Sequence, residues 1–290
     1  RHSTSVAAAA RSQKGHERSS DEKTPAAHEA NVIEVDASIV NEWNESLLDV
    51  IRDESRAPGY ASRALAIVHL GGWKAHYLVE GRLEAFDVDE SIKKILLEYA
   101  TIYSLNKSAT LLFPGKRVLF DKLLESQISR LSLVSIDQSL KSEVETIGQG
   151  AAIEIVHSRS NDRAATRLTF VPSKKPGQWQ RTPPNFRPPE LSHWHKVHPF
   201  ILDAPDQFRP PPPPNWKSPS FQKELARIEQ IGGQEKSSER TRTDELIAEF
   251  WSCFSYTSTP AGHWNAILQS IVLKESYDLK TTHRSFAILN

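Results

Sequence analysis

The stretch DVDESIKKILLEYATIYSLNKSATLLFPG, residues 87–115, decides the fold class. Ile92, Ile95, Leu96, Tyr99 and Tyr103 recur every three or four residues, a spacing that lines one face of an α-helix and that a strand, with its period of two, cannot use. Asp87 and Asp89 stand ahead of the pattern, where a carboxylate can accept from the unpaired amides of a first helical turn and complement its dipole. Pro114-Gly115 closes it just after Leu112. The stretch is therefore predicted to be one long helix, and the same period recurs on both sides of it.

Toward the amino terminus, Tyr60 to Val79 carries Ala61, Leu65, Val68, His69 and Trp73 on related faces and reads as a mostly buried helix, which Gly71 and Gly72 are expected to weaken or bend. Before it, Ile39, Trp43, Leu47, Val50 and Ile51 form an amphipathic helix with Asp36 as its cap. Structure is expected to begin near Val32. Residues 1–31 are rich in Ser, Ala, Lys, Glu and His without apolar periodicity, the composition of a disordered leader.

Toward the carboxyl terminus, Val118, Leu119, Leu123, Leu124 and Ile128 make another helix. Ile136 to His157 continues with a stripe of Val144, Ile147, Ala151 and Ile155, and Gly148 and Gly150 permit close helix contact. Between about Arg159 and Ser218 the composition changes: most of the 18 prolines and three tryptophans fall here, with no helical period. The Trp and Phe residues favour ordered coil packed on the helices over disorder. Helical pattern resumes over Ser220–Ile231, Arg240–Phe254, His263–Leu273 and Leu279–Asn290. The expected architecture is all-α: a helical bundle over 32–290 with a long Pro/Trp-rich irregular loop at 159–218.

Composition narrows the function. Lys plus Arg and Asp plus Glu both number 36, so no bulk charge favours nucleic acid or an anionic membrane as the main partner. No run of 18 apolar residues occurs, and Val6 to Ala10 is too short for a secretory core. The single cysteine, Cys253, excludes an intrachain disulfide framework and leaves the compartment open, export included. The chain begins at Arg1 and has no Met, and its last pattern stops inside a helix, from which a truncated chain is expected. A bundle cut in this way would expose an apolar face and tend to aggregate or to form a homodimer.

Several motifs could carry chemistry, and each has a simpler account. His193, His195 and His198 could converge on zinc, but no Cys or carboxylate stands at a supporting spacing, and packing or surface histidines are the commoner reading. Ser62-Arg63 followed by His69 resembles a phosphate-binding pattern of the acid phosphatase type 2 superfamily, although Trp73 occupies the place of the Asp that would orient the imidazole. A histidine on a buried helical face is more often a hydrogen-bonded core residue. Pro260-Ala261-Gly262-His263 is similar to the same superfamily's Pro-Ser-Gly-His, with Ala261 removing the hydroxyl. Pro210 to Pro214, flanked by Phe208, Arg209 and Trp216, suits either a type II helix for an SH3-like or WW-like module or a brace packed across helices, and the brace is the expectation. No Gly-rich phosphate loop, HExxH, CxxC or Gly-x-Ser-x-Gly occurs.

Taken together the segments resemble one family. Gly177-Gln178-Trp179, Thr182-Pro183-Pro184, His193-Trp194 with Val197, Pro199 and Phe200, and Gln207-Phe208-Arg209 with Pro210 to Pro213 are similar in order and spacing to the central loop of bacterial vanadium-dependent haloperoxidase-like proteins. Arg240-Thr241, Asp244, Ile247-Ala248, Phe250-Trp251 and Thr259-Pro260 with Gly262-His263-Trp264-Asn265 look like that family's next helices. Trp43-Asn44 and Ala61 to Ala66 with His69 resemble its first two. The resemblance covers roughly Val35 to Asn290. It departs from the family at His69 to Lys74 and at His195 and His198, which stand where Gly and Arg are more usual.

The resemblance implies a helical scaffold whose whole protein binds vanadate through an apical histidine, with Lys and Arg side chains compensating its charge, and uses hydrogen peroxide to oxidise halide in the presence of a small organic substrate. The family's site signature opens with Lys-x6-Arg-Pro. Arg187-Pro188 has Gln180 at the Lys position and Arg209-Pro210 has Leu202, so no catalytic, cofactor-binding or metal residue is assigned within the chain, and vanadate is expected only in a longer protein. Two alternatives stand beside it: a phosphatase-like hydrolase of the same superfamily, and a non-catalytic helical binding or scaffold domain.

Overall fold

Within residues 87–115, Glu90–Leu112 folds as one helix, capped as the carboxylates ahead of it suggest: the Asp89 side chain accepts from the Ser91 amide at 2.8 Å. The computed structural model describes residues 38–132, 135–233, 239–254 and 256–290. Asp36, the start near Val32 and the leader over 1–31 lie outside these. Among the described residues there are nine α-helices and no strand, in the order α1 Ser38–Asp53, α2 Pro58–Leu83, α3 Glu90–Leu112, α4 Arg117–Leu131, α5 Gln138–Ser158, α6 Pro219–Ile231, α7 Arg242–Phe250, α8 Thr259–Lys274 and α9 Leu279–Leu289. The architecture is an all-α bundle with a long irregular segment between α5 and α6. Among the described residues no helix is long and apolar enough to cross a membrane.

Helices α2, α3 and α5 pack on one another, α1 and α4 lean on α3, and α8 and α9 close against α1 and α2. The main core follows from the periodic positions: Trp43, Leu47, Leu65, Leu96, Tyr99, Phe120 and Val144 are buried in one cluster. Trp43 stacks on Phe120 with centroids 6.0 Å apart. Its indole Nε1 donates to Gln127 Oε1 at 2.7 Å, so the large ring is buried without stranding its donor. A smaller cluster of Val40, Val272, Leu279 and Phe286 seats the last two helices.

The glycines behave differently from the expectation in one place and as expected in another. Helix α2 runs unbroken through Gly71 and Gly72 because the missing Cβ atoms make room for neighbours: a Cβ at Gly71 would stand 2.8 Å from Ser108 Oγ, and one at Gly72 would stand 3.1 Å from His283 Cε1. In α5 only Gly148 is needed for contact, since a Cβ there would meet the Ala100 carbonyl oxygen at 2.5 Å, whereas Gly150 faces open space. Gly148→Ala is therefore expected to cost about 1–3 kcal/mol through displaced backbone, and Gly150→Ala to add about 0.5–1 kcal/mol of helix propensity. Urea unfolding of the two variants checks the contrast, and equal shifts would contradict this packing.

Helices α6 and α7 have no buried residue, although the Ser218 cap and the Thr241–Asp244 capping box define their starts. The loop departs further from expectation. Pro210 to Pro214 are exposed, as are Phe208 and Trp216, so the polyproline run is not a brace packed across helices. Only the portion around Asp162 and His193 is buried on the bundle.

Candidate functional site

That buried portion is organised around one carboxylate. Helix α2 begins at Pro58, which places Tyr60 and Arg63 in its first two turns, and α5 ends at Ser158, which brings Arg159 and Asp162 alongside. Arg63 Nε donates to Asp162 Oδ2 at 2.6 Å, Arg159 Nε donates to the same oxygen at 3.2 Å, and Asp162 Oδ1 accepts from the Ala164 amide at 3.0 Å. Burial of Asp162 opposes its ionisation, but the Arg63 and Ala164 hydrogen bonds and the two guanidinium charges outweigh it and hold the carboxyl below the usual range. The chain is then tied back: the His198 amide donates to the Asp162 carbonyl at 2.9 Å, and Arg159 Nη1 donates to the Pro199 carbonyl at 3.1 Å. The Ala164 carbonyl accepts from the Tyr60 hydroxyl at 3.1 Å and lies 2.9 Å from His193 Nε2. Gly59 lets Trp194 sit against α2, since a Cβ there would stand 2.6 Å from its ring.

Beside this hub opens a cavity of about 330 Å3 lined by Arg63, Trp194, His195, His198, Phe200 and Asn290, among others. The arrangement brings together parts of two motifs that the sequence kept apart, Arg63 from the Ser-Arg-x5-His pattern and two histidines from the His193–His198 cluster. It separates the members of each motif. His193 is buried on Ala164 while His195 and His198 are exposed, and no group of three His, Cys, Asp or Glu among the described residues could hold a metal ion. The Ser62 hydroxyl donates to the Gly59 carbonyl at 3.0 Å, and His69 lies deep in the bundle.

His69 belongs to a second constellation, a polar seam where α9 meets α2 and α3. His69 Nε2 lies 3.0 Å from Asn44 Oδ1 and its ring stacks on Phe286 with centroids 4.7 Å apart. His283 Nε2 lies 3.0 Å from Thr101 Oγ1, and the His76 ring is 5.8 Å from that of His283. Burial pushes the His69 imidazole down to about 3. His283 is pushed well below its ordinary value by burial and then by His76 and His69. His76 is lowered by burial, with Glu80 and Asp278 opposing and Lys280 assisting. These are uncharged core histidines, and no catalytic duty follows for His69.

His263 sits on α8 with its ring 4.5 Å from Phe250 and 5.2 Å from Trp251, and Thr259, Gly262 and Asn265 beside it are buried. The Pro260–His263 segment is thus helix-start packing. Vanadate, a trianion, requires several cations converging on one imidazole. Arg63 and Arg159 share Asp162, and His69 and His283 are held neutral, so these four do not make such a set. Sequence reasoning missed Arg159 and Asp162, whose only local signal is a carboxylate among arginines at a helix end. Comparison of the chain with known protein families, curated proteins and solved structures finds no match.

Proposed function

We propose that the chain is the amino-terminal scaffold part of a vanadium-dependent haloperoxidase-like protein, which as a whole oxidises halide with hydrogen peroxide. One observation supports this beyond the sequence resemblance. The segments that carry the resemblance present their apolar side chains outward: Trp179, Phe208, Ile247, Phe250, Trp251 and Trp264 are each about half exposed or more. Phe250 is in ring contact with Trp251 and Trp251 with Trp264, a contiguous exposed apolar cluster of the kind that marks an interaction surface. It suits a scaffold against which further helices of the whole protein pack, and vanadate would then be held by residues other than those described.

The test is vanadate-dependent bromination by the protein made from the whole native reading frame, measured beside residues 1–290 alone. Activity is expected only from the former and is expected to fall when phosphate competes for the oxyanion site. Inactivity of the whole product, or a reading frame that stops at Asn290, would overturn the proposal. Hydrolysis of a phosphate monoester in the same experiment, without bromination, identifies the phosphatase-like alternative. The exposed Pro210–Pro214 run favours a second reading, a helical binding domain recognised through its polyproline, which predicts capture by SH3-like or WW-like modules and loss of capture on replacing Pro211 and Pro213 with Ala.

A further inference from the structure

Arg63 faces the cavity with an incomplete set of partners. Its Nε is taken by Asp162 and its Nη2 donates to the Arg159 carbonyl at 2.7 Å, while Nη1 has no partner among the described residues. The local charge is also incomplete. Two guanidinium groups share the single carboxylate of Asp162, whose side chain is only 3 % exposed, so among these three side chains one positive charge is left over. Arg159 is tied down at all three nitrogens, since its Nη1 and Nη2 donate to the carbonyls of Pro199 and His198 and its guanidinium lies 4.0 Å over the Phe200 ring. Arg63 is therefore the guanidinium with a whole nitrogen left for a ligand at the cavity wall.

The rest of the lining divides by chemistry. His195 and His198 contribute imidazoles that hydrogen-bond to none of the described residues, and Trp194, Phe200 and Pro199 contribute apolar surface. A cavity of about 330 Å3 suits a small molecule. One surplus charge compensates a monoanion and leaves a phosphate dianion or a vanadate trianion underneutralised. The geometry points to a binding site for a small aromatic monocarboxylate, its carboxylate on Arg63 Nη1 beside His195 and His198 and its ring against Trp194 and Phe200. This inference does not depend on the haloperoxidase reading.

The probe is 4-fluorophenylacetate, titrated into the 290-residue chain with 19F NMR, and its neutral twin 4-fluorophenylacetamide serves as the control that leaves the protein untouched. The carboxylate is expected to bind at least about tenfold tighter than the amide, the ratio one charge-assisted hydrogen bond supports. Arg63→Lys keeps a charge opposite Asp162 and removes the free guanidinium arm, so it is expected to erase most of that ratio. Phe200→Leu is expected to weaken both probes together. Circular dichroism confirms that each variant is folded before titration. Equal affinity for the two probes, no binding up to about 10 mM, or carboxylate binding that neither substitution changes would overturn the assignment.

Discussion

Acidification from pH 6.5 toward 4 is expected to strip stability from the fold at about 1.4 kcal/mol per pH unit for each neutral buried histidine. The folded His69 takes a proton only near 3, whereas the unfolded residue takes one near 6.5. Between those values the unfolded state binds more protons than the folded state, so stability is full above 6.5 and falls as the pH falls. The whole interval amounts to roughly 5 kcal/mol for His69 alone, a large part of the 5–15 kcal/mol that holds a domain together. His283, lowered in the same direction, steepens the loss. The groups facing the seam are Glu80 and His76 on α2 and Asp278 and Lys280 at α9. Because carboxylates titrate lower, the window from 6.5 to 4.5 isolates the histidines. Urea midpoints at half-unit steps of pH measure the slope, and His69→Leu should lower it by about one proton. A flat profile from pH 7 to 5 would show that the seam admits charge.

Asp162→Ala is expected to be the most damaging single substitution near the cavity, costing about 3–5 kcal/mol. The pair is buried enough for that range to apply without discount for solvent, with side chains 18 % exposed for Arg63, 12 % for Arg159 and 3 % for Asp162. Removing the carboxylate leaves two guanidinium groups facing each other and frees the Ala164 amide. Asp162→Asn restores an acceptor for that amide without the charge, and should recover little. A local readout separates undocking from global unfolding: emission of Trp194 should shift red and cleavage between Arg163 and Phe200 should accelerate before the helices melt. Wild-type stability in Asp162→Asn would mean that charge is unimportant there.

The helices were legible because their evidence is local. Asp89, Asp137 and Asp278 each cap a helix that begins where the sequence places one, and the stripe through Ile95, Leu96 and Tyr99 is buried as its period requires. The length of α7 was not, since Trp251 to Phe254 continue an apolar pattern with no core to receive it. The loop misled for a related reason. Aromatic content suggested packing, yet Trp179 and Trp216 remain exposed while His193 is buried, and composition alone does not distinguish them. The cavity was least legible. Arg63 and Asp162 are 99 positions apart, and nothing in either neighbourhood names the other. The seam gave a partial signal through Gly71 and Gly72, read as weakness where the structure uses them for close approach.

The closure of α8 and α9 over α1 and α2 has a consequence for the order in which the molecule assembles. Lys280 pairs with Glu80 and His283 with Thr101 across 200 and 182 positions, whereas α1 to α5 are contiguous. Roughly 120 residues separate the end of α5 from α9, so at ribosomal rates of about 5–20 residues per second the first five helices wait some 6–24 seconds for the last. Throughout that interval His69 lacks its stack on Phe286 and Thr101 its partner His283. The last helix therefore supplies, after all the others, the ring that stacks on His69 and the imidazole that pairs with Thr101.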